Sequence, residues 1–185
     1  MASTLAPLAA LLLLLATAAA AAGSCPDREA KADFDQTAFM GTWYMQKVVQ
    51  TPGYANTKCN HLKASLGEND EITLNIMYYN TTSSKDTHVV ATLRKADAAA
   101  ADAKYTYYRE GVFSHDKTSF KIVNTDYTGY AVVSFCDLQR DLNTVFLLTR
   151  KRSPAEDEMK AAEAALPADL TYVTQDQADC PEHDH

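Results

Sequence analysis

Four cysteines and five histidines are the side chains of this 185-residue sequence best suited to bind a metal or to act as a nucleophile. The cysteines lie far apart, without the Cys-x-x-Cys or paired Cys/His spacing of a zinc site, so we expect no metal site. An even set of four predicts two disulfides in an oxidising compartment, and spacing alone permits three pairings. The four are Cys25, Cys59, Cys136 and Cys180.

The histidines do not indicate a cofactor. His88 is out of phase with the apolar Val89, which predicts that its ring faces away from the core. The phase of His61 is uncertain: contact with a ligand is one alternative, and a surface position is the expected one. His183 and His185 belong to a short polar tail that could bind adventitious metal only. We therefore expect that the protein requires no cofactor.

The sequence also lacks the common enzyme signatures. It contains no G-x-S-x-G, H-E-x-x-H or P-loop motif, and no paired-carboxylate signature. Lysine and arginine total 17 against 24 acidic residues, a formal net charge of −7, which argues against nucleic acid or an anionic membrane as partner. These observations favour a binding protein over an enzyme.

The first 22 residues are typical of a secretory signal peptide. They carry no charged side chain, and an apolar run over 11–15 leads to alanines before Gly23. An uncleaved anchor is the alternative, but the alanine-rich end favours cleavage, and no later stretch is long enough to span a membrane. We predict a signal peptide over 1–22, a secreted domain over 23–178 and a tail over 179–185 tethered by Cys180. Asn80 begins the only N-glycosylation sequon, in a predicted surface turn.

Eight short runs with strand character follow residue 40. In the third run, Ile72, Leu74 and Ile76 alternate with mostly polar residues, which is the period of a strand with one apolar face. Short polar connectors separate the runs, which predicts an all-β antiparallel sandwich or barrel. The alanine-rich stretch 96–103 is predicted as a loop or a single helical turn. The runs cover 42–50, 59–66, 71–79, 87–94, 104–113, 119–125, 129–136 and 143–150.

One helix is predicted after the eighth run. Ser153 and Glu156 have the spacing of a capping box, with Pro154 at the first helical position, and Pro167 ends the helix. Apolar residues at helical spacing form one narrow stripe that must pack against the outside of the sheet. The stripe consists of Ala155, Met159, Ala162 and Leu166. Residues 170–174 are predicted to add a short ninth strand.

Three short motifs, in this order, resemble those of the lipocalin family. Gly41-Thr42-Trp43-Tyr44 opens the first run, Thr125-Asp126-Tyr127 lies between the sixth and seventh, and Arg150 closes the eighth. The resemblance covers essentially the whole predicted secreted domain and implies an eight-stranded up-and-down barrel with one C-terminal helix outside. It also implies that Trp43 and Arg150 stack to close one end of the barrel, a structural role rather than a catalytic one. The motif residues are Gly41, Trp43, Thr125, Asp126 and Arg150.

The cysteine layout resembles the insect bilin-binding and apolipoprotein D-like branch of that family. One cysteine precedes the first run, one opens the second, one ends the seventh and one lies near the carboxyl end. The segments CPDREAKADFDQTAFMGTWY and NTDYTGYAVVSFC add to the likeness. The resemblance implies the disulfides Cys25–Cys136 and Cys59–Cys180, and it makes a bilin or a similar tetrapyrrole pigment the first candidate ligand.

The resemblance and the strand period together predict which side chains line the interior. If Trp43 and Arg150 point inward, residues at steps of two along their strands do so as well. Lys47 and Val49 fall in this phase. Burying an unpaired charge is costly, so the Lys47 ammonium either meets a ligand carboxylate or reaches the rim, and we expect the rim. The fifth run has an ambiguous phase, with Tyr107 favoured. The predicted ligand contacts are Met45, Ile72, Leu74, Ile76, Tyr78, Val89, Ala91, Tyr107, Phe120, Ile122, Phe135, Phe146 and Leu148, and Leu93, Ala131 and Val133 share their phase.

Such an interior is apolar, with phenol hydroxyls near its open end. It predicts a protein that binds and carries or sequesters a small hydrophobic molecule with one or two polar groups. Fatty-acid or retinoid-like lipids follow bilins as candidates, and a biogenic-amine scavenger or a nutritive or allergen-type lipocalin with incidental lipid are the alternatives. An isomerase-type enzyme is least favoured. The prostaglandin isomerase of the family uses a free cysteine inside the barrel, whereas all four cysteines of this sequence are expected to form disulfides. The sequence leaves open homo-oligomer formation and recognition by a cell-surface receptor.

Overall fold

A computed structural model describes residues 25–51, 54–109 and 118–181, which form nine β-strands and two α-helices. The predicted signal peptide and residues 182–185 of the tail lie outside the described residues. Within the described ranges, no helix has the length and apolar character needed to cross a membrane. The elements are α1 Gln36–Phe39, β1 Gly41–Val49, β2 Thr57–Leu66, a 3₁₀ turn Glu68–Asp70, β3 Ile72–Asn80, β4 Lys85–Lys95, β5 Lys104–Arg109, β6 Thr118–Thr125, β7 Tyr130–Asp137, β8 Leu142–Thr149, α2 Glu156–Glu163 and β9 Tyr172–Thr174.

Strands β1 to β8 form a closed antiparallel barrel. Each strand from β2 to β8 pairs with the next, β8 pairs with β1, and β1 also pairs with β2 to close the ring. The short ninth strand is present and pairs with the end of β1, outside the ring. The architecture is therefore the barrel rather than the sandwich, and residues 96–103 form the predicted loop.

A bulge in β1 reverses the inward phase beyond Met45. Between Met45 and Lys47 the pairing with β8 shifts by one residue, and such an extra residue turns the following side chains to the opposite face. Val48 is therefore fully buried in the core, whereas Lys47 lies outside, with its Nζ 2.8 Å from the Glu163 carboxylate. Val49 packs in the outer cluster beneath α2. The prediction that Lys47 and Val49 point inward was wrong, because the alternation pattern carries no mark of a bulge.

Helix α2 begins two residues later than the sequence predicts. The backbone N–H of Ala155 donates to Glu158 Oε2 at 2.8 Å, so Glu158, and not Glu156, completes the cap. The predicted start at Ser153 was therefore wrong. The apolar stripe packs on the outer face of β7 and β8, except for Ala155, which is exposed. The contact joins Met159, Ala162 and Leu166 to Val132, Val145 and Leu147.

Trp43 and Arg150 close one end of the barrel. The guanidinium carbon of Arg150 lies 3.6 Å from the centroid of the Trp43 ring, a cation–π contact. The same guanidinium donates to the backbone carbonyls of Tyr127, Ala38 and Thr42, at 2.9, 2.9 and 3.2 Å. Burial lowers the pKa of Arg150, but an arginine remains charged in such a site because its ordinary pKa is so high. The geometry is that of a structural plug.

Gly41 and helix α1 complete this closed end. Gly41 has a φ of +103°, which favours glycine, and a Cβ at this position would lie 3.1 Å from Nη1 of Arg150. Helix α1 was not predicted from the sequence, although Asp35 supplies the typical side-chain cap. The carbonyl oxygen of Phe39, at the end of α1, accepts the Trp43 indole N–H at 2.9 Å. One short helix therefore satisfies the only polar atom of the buried indole.

The turn between β6 and β7 holds the motif residues Thr125 and Asp126. Asp126 Oδ1 accepts the backbone N–H of Tyr130 at 2.8 Å. Thr125 Oγ1 donates to the carbonyl of Tyr130 at 2.6 Å and accepts the N–H of Tyr127 at 2.9 Å. These bonds fix the turn, and the fixed turn places the Tyr127 carbonyl where it accepts the Arg150 Nε–H.

Two disulfides tie the ends of the described chain to the barrel. Cys25–Cys136 joins the amino-terminal segment to β7, and Cys59–Cys180 joins the carboxyl-terminal segment to β2. These are the pairs that the resemblance implies. They link residues 111 and 121 positions apart, so each constrains a large loop of the unfolded chain.

Candidate ligand-binding site

The barrel holds a cavity of about 230 Å³ toward the end opposite Trp43. Its wall is mostly aliphatic and aromatic, as expected for a site that binds a largely hydrophobic molecule. Ten of the thirteen predicted contacts line it. They are Met45, Leu74, Ile76, Tyr78, Val89, Tyr107, Phe120, Phe135, Phe146 and Leu148.

Three predicted contacts are core residues instead of cavity residues. Ile72 and Ile122 are fully buried near the closed end, below the cavity. Ala91 is buried in the wall opposite Leu74, but its side chain ends at Cβ. The period of a strand gives the face on which a residue lies; it does not give the depth along the barrel or the reach of the side chain.

Other lining residues were not predicted as contacts. Leu62 had a usable signal, because Leu62 and Ala64 alternate with Lys63 and Ser65 and so mark the inner face of β2. Tyr54 lies in the connection before β2, where no period exists to assign it. The unpredicted residues are Tyr54, Thr57, Asn60, Leu62, Arg109 and Leu142, together with Val133, for which only the inward phase was predicted, and His61, for which contact was the less favoured alternative.

The two central histidines differ in position. His61 is 5% exposed, with Nδ1 2.8 Å from the carbonyl oxygen of Cys59 and its ring centroid 5.8 Å from that of Tyr44. The expected surface position was therefore wrong, because a bulge in β2 just before His61 changes the phase. His88 is exposed on the outer face, with Nε2 3.3 Å from Asn75 Oδ1. Within the described residues, no three His, Cys, Asp or Glu side chains form a metal-binding group.

Three tyrosines bring hydroxyl groups to the open part of the cavity: Tyr54, Tyr78 and Tyr107. The Tyr54 ring makes an edge contact with Phe146 at 5.4 Å, and the Tyr107 ring makes one with Phe135 at 5.0 Å. Burial raises the pKa of Tyr54, and Tyr107 and Tyr78 raise it further. Burial also raises the pKa of Tyr107. Both hydroxyls therefore stay protonated at neutral pH and can donate a hydrogen bond.

Arg109, the last residue of β5, is the only lysine, arginine or acidic residue among the described residues that line the cavity. It is exposed at the open end. Tyr107 lines the cavity as well; burial raises the pKa of its phenol, and the charge of Arg109 lowers it. The acidic Asp137 also acts on Tyr107, but it is buried and its Oδ2 accepts from Nη1 of Arg140 at 3.1 Å.

The carboxyl-terminal segment completes the wall where β1 and β2 separate. Direct pairing of β1 with β2 ends at Tyr44. Beyond it, Gln177 Nε2 donates to the carbonyls of Met45 and Asn60, both at 2.8 Å, and so bridges the two strands. Asn60, which lines the cavity, donates to Gln175 Oε1 at 2.6 Å. The Cys59–Cys180 disulfide holds this segment in place.

A closed antiparallel barrel, plugged at one end and hollow and apolar toward the other, defines a small-molecule-binding protein. The sequence profile of the Lipocalin / cytosolic fatty-acid binding protein family matches residues 40–169. The chain belongs to this family, whose members generally bind small hydrophobic ligands. No curated protein matches the sequence at a significant level.

Known structures with the same fold include three relatives of low sequence identity. The major allergen Per a 4 from cockroaches has a TM-score of 0.66 and 19% identity, covering 83% of this chain and 94% of that one. Insecticyanin from the tobacco hornworm Manduca sexta has a TM-score of 0.61 and 16% identity, covering 85% and 88%. A biogenic amine-binding protein has a TM-score of 0.63 and 21% identity, covering 77% and 79%. At such identities the likeness is one of fold.

Proposed function

We propose that this protein is a secreted lipocalin that carries or sequesters a small hydrophobic ligand bearing one or two polar groups. The observation that carries the proposal is the apolar cavity of about 230 Å³ with three phenols at its open part. Apolar burial supplies the free energy of binding, and the few polar groups orient the ligand. The ligand contacts that we propose are the ten predicted residues that line this cavity.

The volume of the cavity favours a ligand smaller than a tetrapyrrole. At about 230 Å³ it lies below the roughly 300–1,000 Å³ of sites for drug-sized ligands. A bilin, the first candidate from the family resemblance, would require the cavity to widen. An absorption spectrum and native mass spectrometry of the protein purified from its source separate the two: a visible chromophore favours the pigment, and a colourless adduct of lower mass favours a small lipid.

Two adjacent valines in β4 provide the sharpest test of binding inside the barrel. Val89 lines the cavity, whereas Val90 is 47% exposed on the outer wall. Val89→Trp is expected to fill the cavity and to weaken binding of decan-1-ol, measured by calorimetry, at least tenfold. Val90→Trp adds the same bulk outside and is expected to leave the Kd within twofold. Equal effects of the two substitutions, with both proteins folded, would place the ligand elsewhere.

Secretion is supported by the two disulfides and by the predicted signal peptide. Asn80, at the end of β3, is proposed as a glycosylation site, since its turn is exposed and its Oδ1 accepts the N–H groups of Thr82 and Ser83 at 3.0 and 2.9 Å. The mass of the secreted protein before and after enzymatic removal of N-glycans tests both statements. Retention of the protein in the cell would contradict secretion. A mass that the enzyme leaves unchanged would contradict glycosylation of Asn80.

Three alternatives have less support. One structural neighbour binds biogenic amines according to its name, but no carboxylate lines the described part of the cavity here. A nutritive or allergen-type role predicts a mixture of incidental lipids in the purified protein instead of one defined ligand. Thiol catalysis is disfavoured, because all four cysteines are in disulfides. Thiol titration of the denatured, unreduced protein tests this, and any free thiol would revive it.

A further inference from the structure

A row of side chains on the outer wall of the barrel brings two histidines and a methionine together. His61 in β2 pairs with Met77 in β3, and Met77 pairs with His88 in β4, so the three form one line across adjacent strands. Directly opposed residues of antiparallel strands lie on the same face, with Cβ atoms about 4.5–5.5 Å apart. The line is on the outer face, because the neighbouring Ile76 and Val89 line the cavity. All three side chains border one cleft of about 160 Å³ on this wall.

The hydrogen bonds of the two imidazoles are those of metal-binding histidines. Nδ1 of His61, which also borders the barrel cavity, is 2.8 Å from the carbonyl oxygen of Cys59. Nε2 of His88 is 3.3 Å from the side-chain oxygen of Asn75. Both oxygens only accept, so each of these nitrogens carries the ring proton, and the neutral ring has its lone pair on the other nitrogen. A metal-bound histidine typically donates its second N–H to an oxygen in this way.

The third donor indicates the class of ion. Met77 is 8% exposed and offers a thioether sulfur, a soft ligand that suits Cu(I). Cys59 also borders the cleft, but its sulfur is in a disulfide and provides no thiolate. The part of the chain that the structure describes contains no group of three His, Cys, Asp or Glu side chains placed for a metal, as Zn²⁺ would prefer. His88 is exposed, so an ion can reach the cleft from solvent.

The charges around the row do not favour a divalent ion. Lys58 and Asp86, of opposite charge, lie in the adjoining row across the same three strands, and Lys63 lies in the row on the other side. Tyr44 extends the row into β1, and the guanidinium carbon of Arg152 is 4.8 Å from the centroid of its ring. These are three cations and one anion. Binding must therefore arise from coordination to the donor atoms and not from attraction between charges.

We propose that the outer wall of the barrel binds one Cu(I) ion through Nε2 of His61, the sulfur of Met77 and Nδ1 of His88. Met77 lies between the strands that carry the two rings, so each imidazole approaches the sulfur from one side. The ion binds and leaves as Cu(I), and no electron is transferred. This site is separate from the proposed ligand cavity and does not depend on it. The sequence gives no sign of it, because only strand pairing brings the three residues together.

Silver provides the direct measurement. Ag(I) has the charge and softness of Cu(I) and does not oxidise in air. Calorimetry of the full secreted protein in chloride-free nitrate buffer is expected to give one Ag(I) per chain, and no free thiol competes, because all four cysteines are in disulfides. Nuclear magnetic resonance is expected to show shifts of the Met77 methyl group and of the His88 ring protons. Zn²⁺ is expected to bind at least about tenfold more weakly than Ag(I).

Matched variants assign the ion to the row. Met77→Leu removes the sulfur and keeps most of the bulk, and it is expected to weaken Ag(I) binding at least tenfold. Met159→Leu makes the same change beneath α2 and is expected to leave the Kd within twofold. His88→Gln changes an exposed residue and is also expected to weaken binding at least tenfold. The double variant His183→Gln/His185→Gln, in the tail outside the described residues, is expected to leave the Kd within twofold.

The results have definite consequences once circular dichroism has shown that the variants are folded. Absence of Ag(I) binding, or binding that survives Met77→Leu and His88→Gln, overturns the site. A tenfold loss in the tail variant assigns the ion to the tail and overturns it as well. Zn²⁺ binding as tight as that of Ag(I) refutes the choice of a soft ion. Cu(I) itself, kept reduced with ascorbate and competed against a chromogenic chelator, is expected to rank the variants in the same order, and a different order contradicts the proposal.

Discussion

The closed and open ends of the barrel each contain an arginine, but the two arginines differ in what surrounds their N–H groups. Arg150 donates to four backbone carbonyls and lies 3.6 Å from the Trp43 ring centroid, so its donors stabilise the fold. Arg109 is exposed and, like Tyr107, lines the cavity. An arginine whose donors are satisfied by the backbone is structural, and one that faces an apolar cavity is available to a ligand.

The two ends also differ in how much of the fold depends on them. At the closed end Trp43, Phe39 and Ile72 are fully buried in one cluster with the adjoining strands. At the open end, Tyr54 and Arg109 lie in or beside connecting segments and are at least partly exposed. Changes at the closed end should therefore affect stability most, and changes at the open end should affect specificity most.

Replacement of Trp43 should produce the largest effect. Trp43→Ala removes a fully buried indole, its hydrogen bond to Phe39 and its contact with Arg150. The free energy of unfolding is expected to fall by about 3–5 kcal/mol, measured by urea denaturation. Trp43→Phe keeps a ring and should cost clearly less. A loss below about 1 kcal/mol for Trp43→Ala would show that the plug is dispensable.

Removal of the Cys59–Cys180 disulfide should come next. The double substitution to serine is expected to cost about 2–4 kcal/mol, because the bond constrains a long loop of the unfolded chain. Hydrogen exchange should also accelerate at the amides of Cys59 and Gln175, which bond to Asp176 and Gln46. The matched loss of Cys25–Cys136 should cost a similar amount without accelerating those two amides. Equal exchange at these amides in the two variants would show that the Cys59–Cys180 disulfide does not hold the carboxyl-terminal segment against the barrel.

Alkaline pH should weaken the open end. Burial raises the phenol pKa values of Tyr54 and Tyr107, so the folded state holds these protons more tightly than the unfolded chain does. Stability is then fully present below the ordinary phenol pKa of about 10 and falls as the pH rises above it. Tyr54→Phe should reduce this slope in denaturation experiments between pH 9 and about 11. A stability that rises over this range would contradict the burial of the two phenols.

Replacement of Arg109 should have the smallest effect on stability. Arg109→Gln changes an exposed side chain, so the free energy of unfolding should change by less than about 0.5 kcal/mol. Arg150→Gln should cost more, because it leaves backbone carbonyls at the closed end without their donors. Denaturation of both variants under one condition makes the comparison. A larger loss for Arg109→Gln would reverse the assignment of the two arginines.

Much of the fold could be predicted because the alternation of apolar and polar residues in a regular strand indicates its inward face. Leu74 and Ile76 in β3, and Phe146 and Leu148 in β8, alternate with outward residues and line the cavity. The plug needed the family resemblance, since no local pattern relates Trp43 to Arg150, 107 positions later.

The failures fall where the chain departs from regular geometry. Lys47 and His61 follow bulges, which depend on the pairing of two strands and leave no trace in either sequence alone. Ser153 and Glu156 have capping-box spacing, but Ala155 and Glu158 are also three residues apart. In the structure Glu158 accepts the N–H of Ala155, so the helix begins after Ala155. Arg109 was missed because the fifth run has no clear phase and the residue lies at its end.

The orientation of a bound ligand tests the difference between the two ends most directly. Intermolecular nuclear Overhauser effects are measured for decan-1-ol bound to isotopically labelled protein. The terminal methyl group is expected to contact the methyl groups of Leu74 and Leu148, and the protons next to the hydroxyl group are expected to contact the Tyr107 ring. The reverse order, or contacts to the outer residue Val90, would contradict a barrel that binds the apolar body deep and the polar head at its open end.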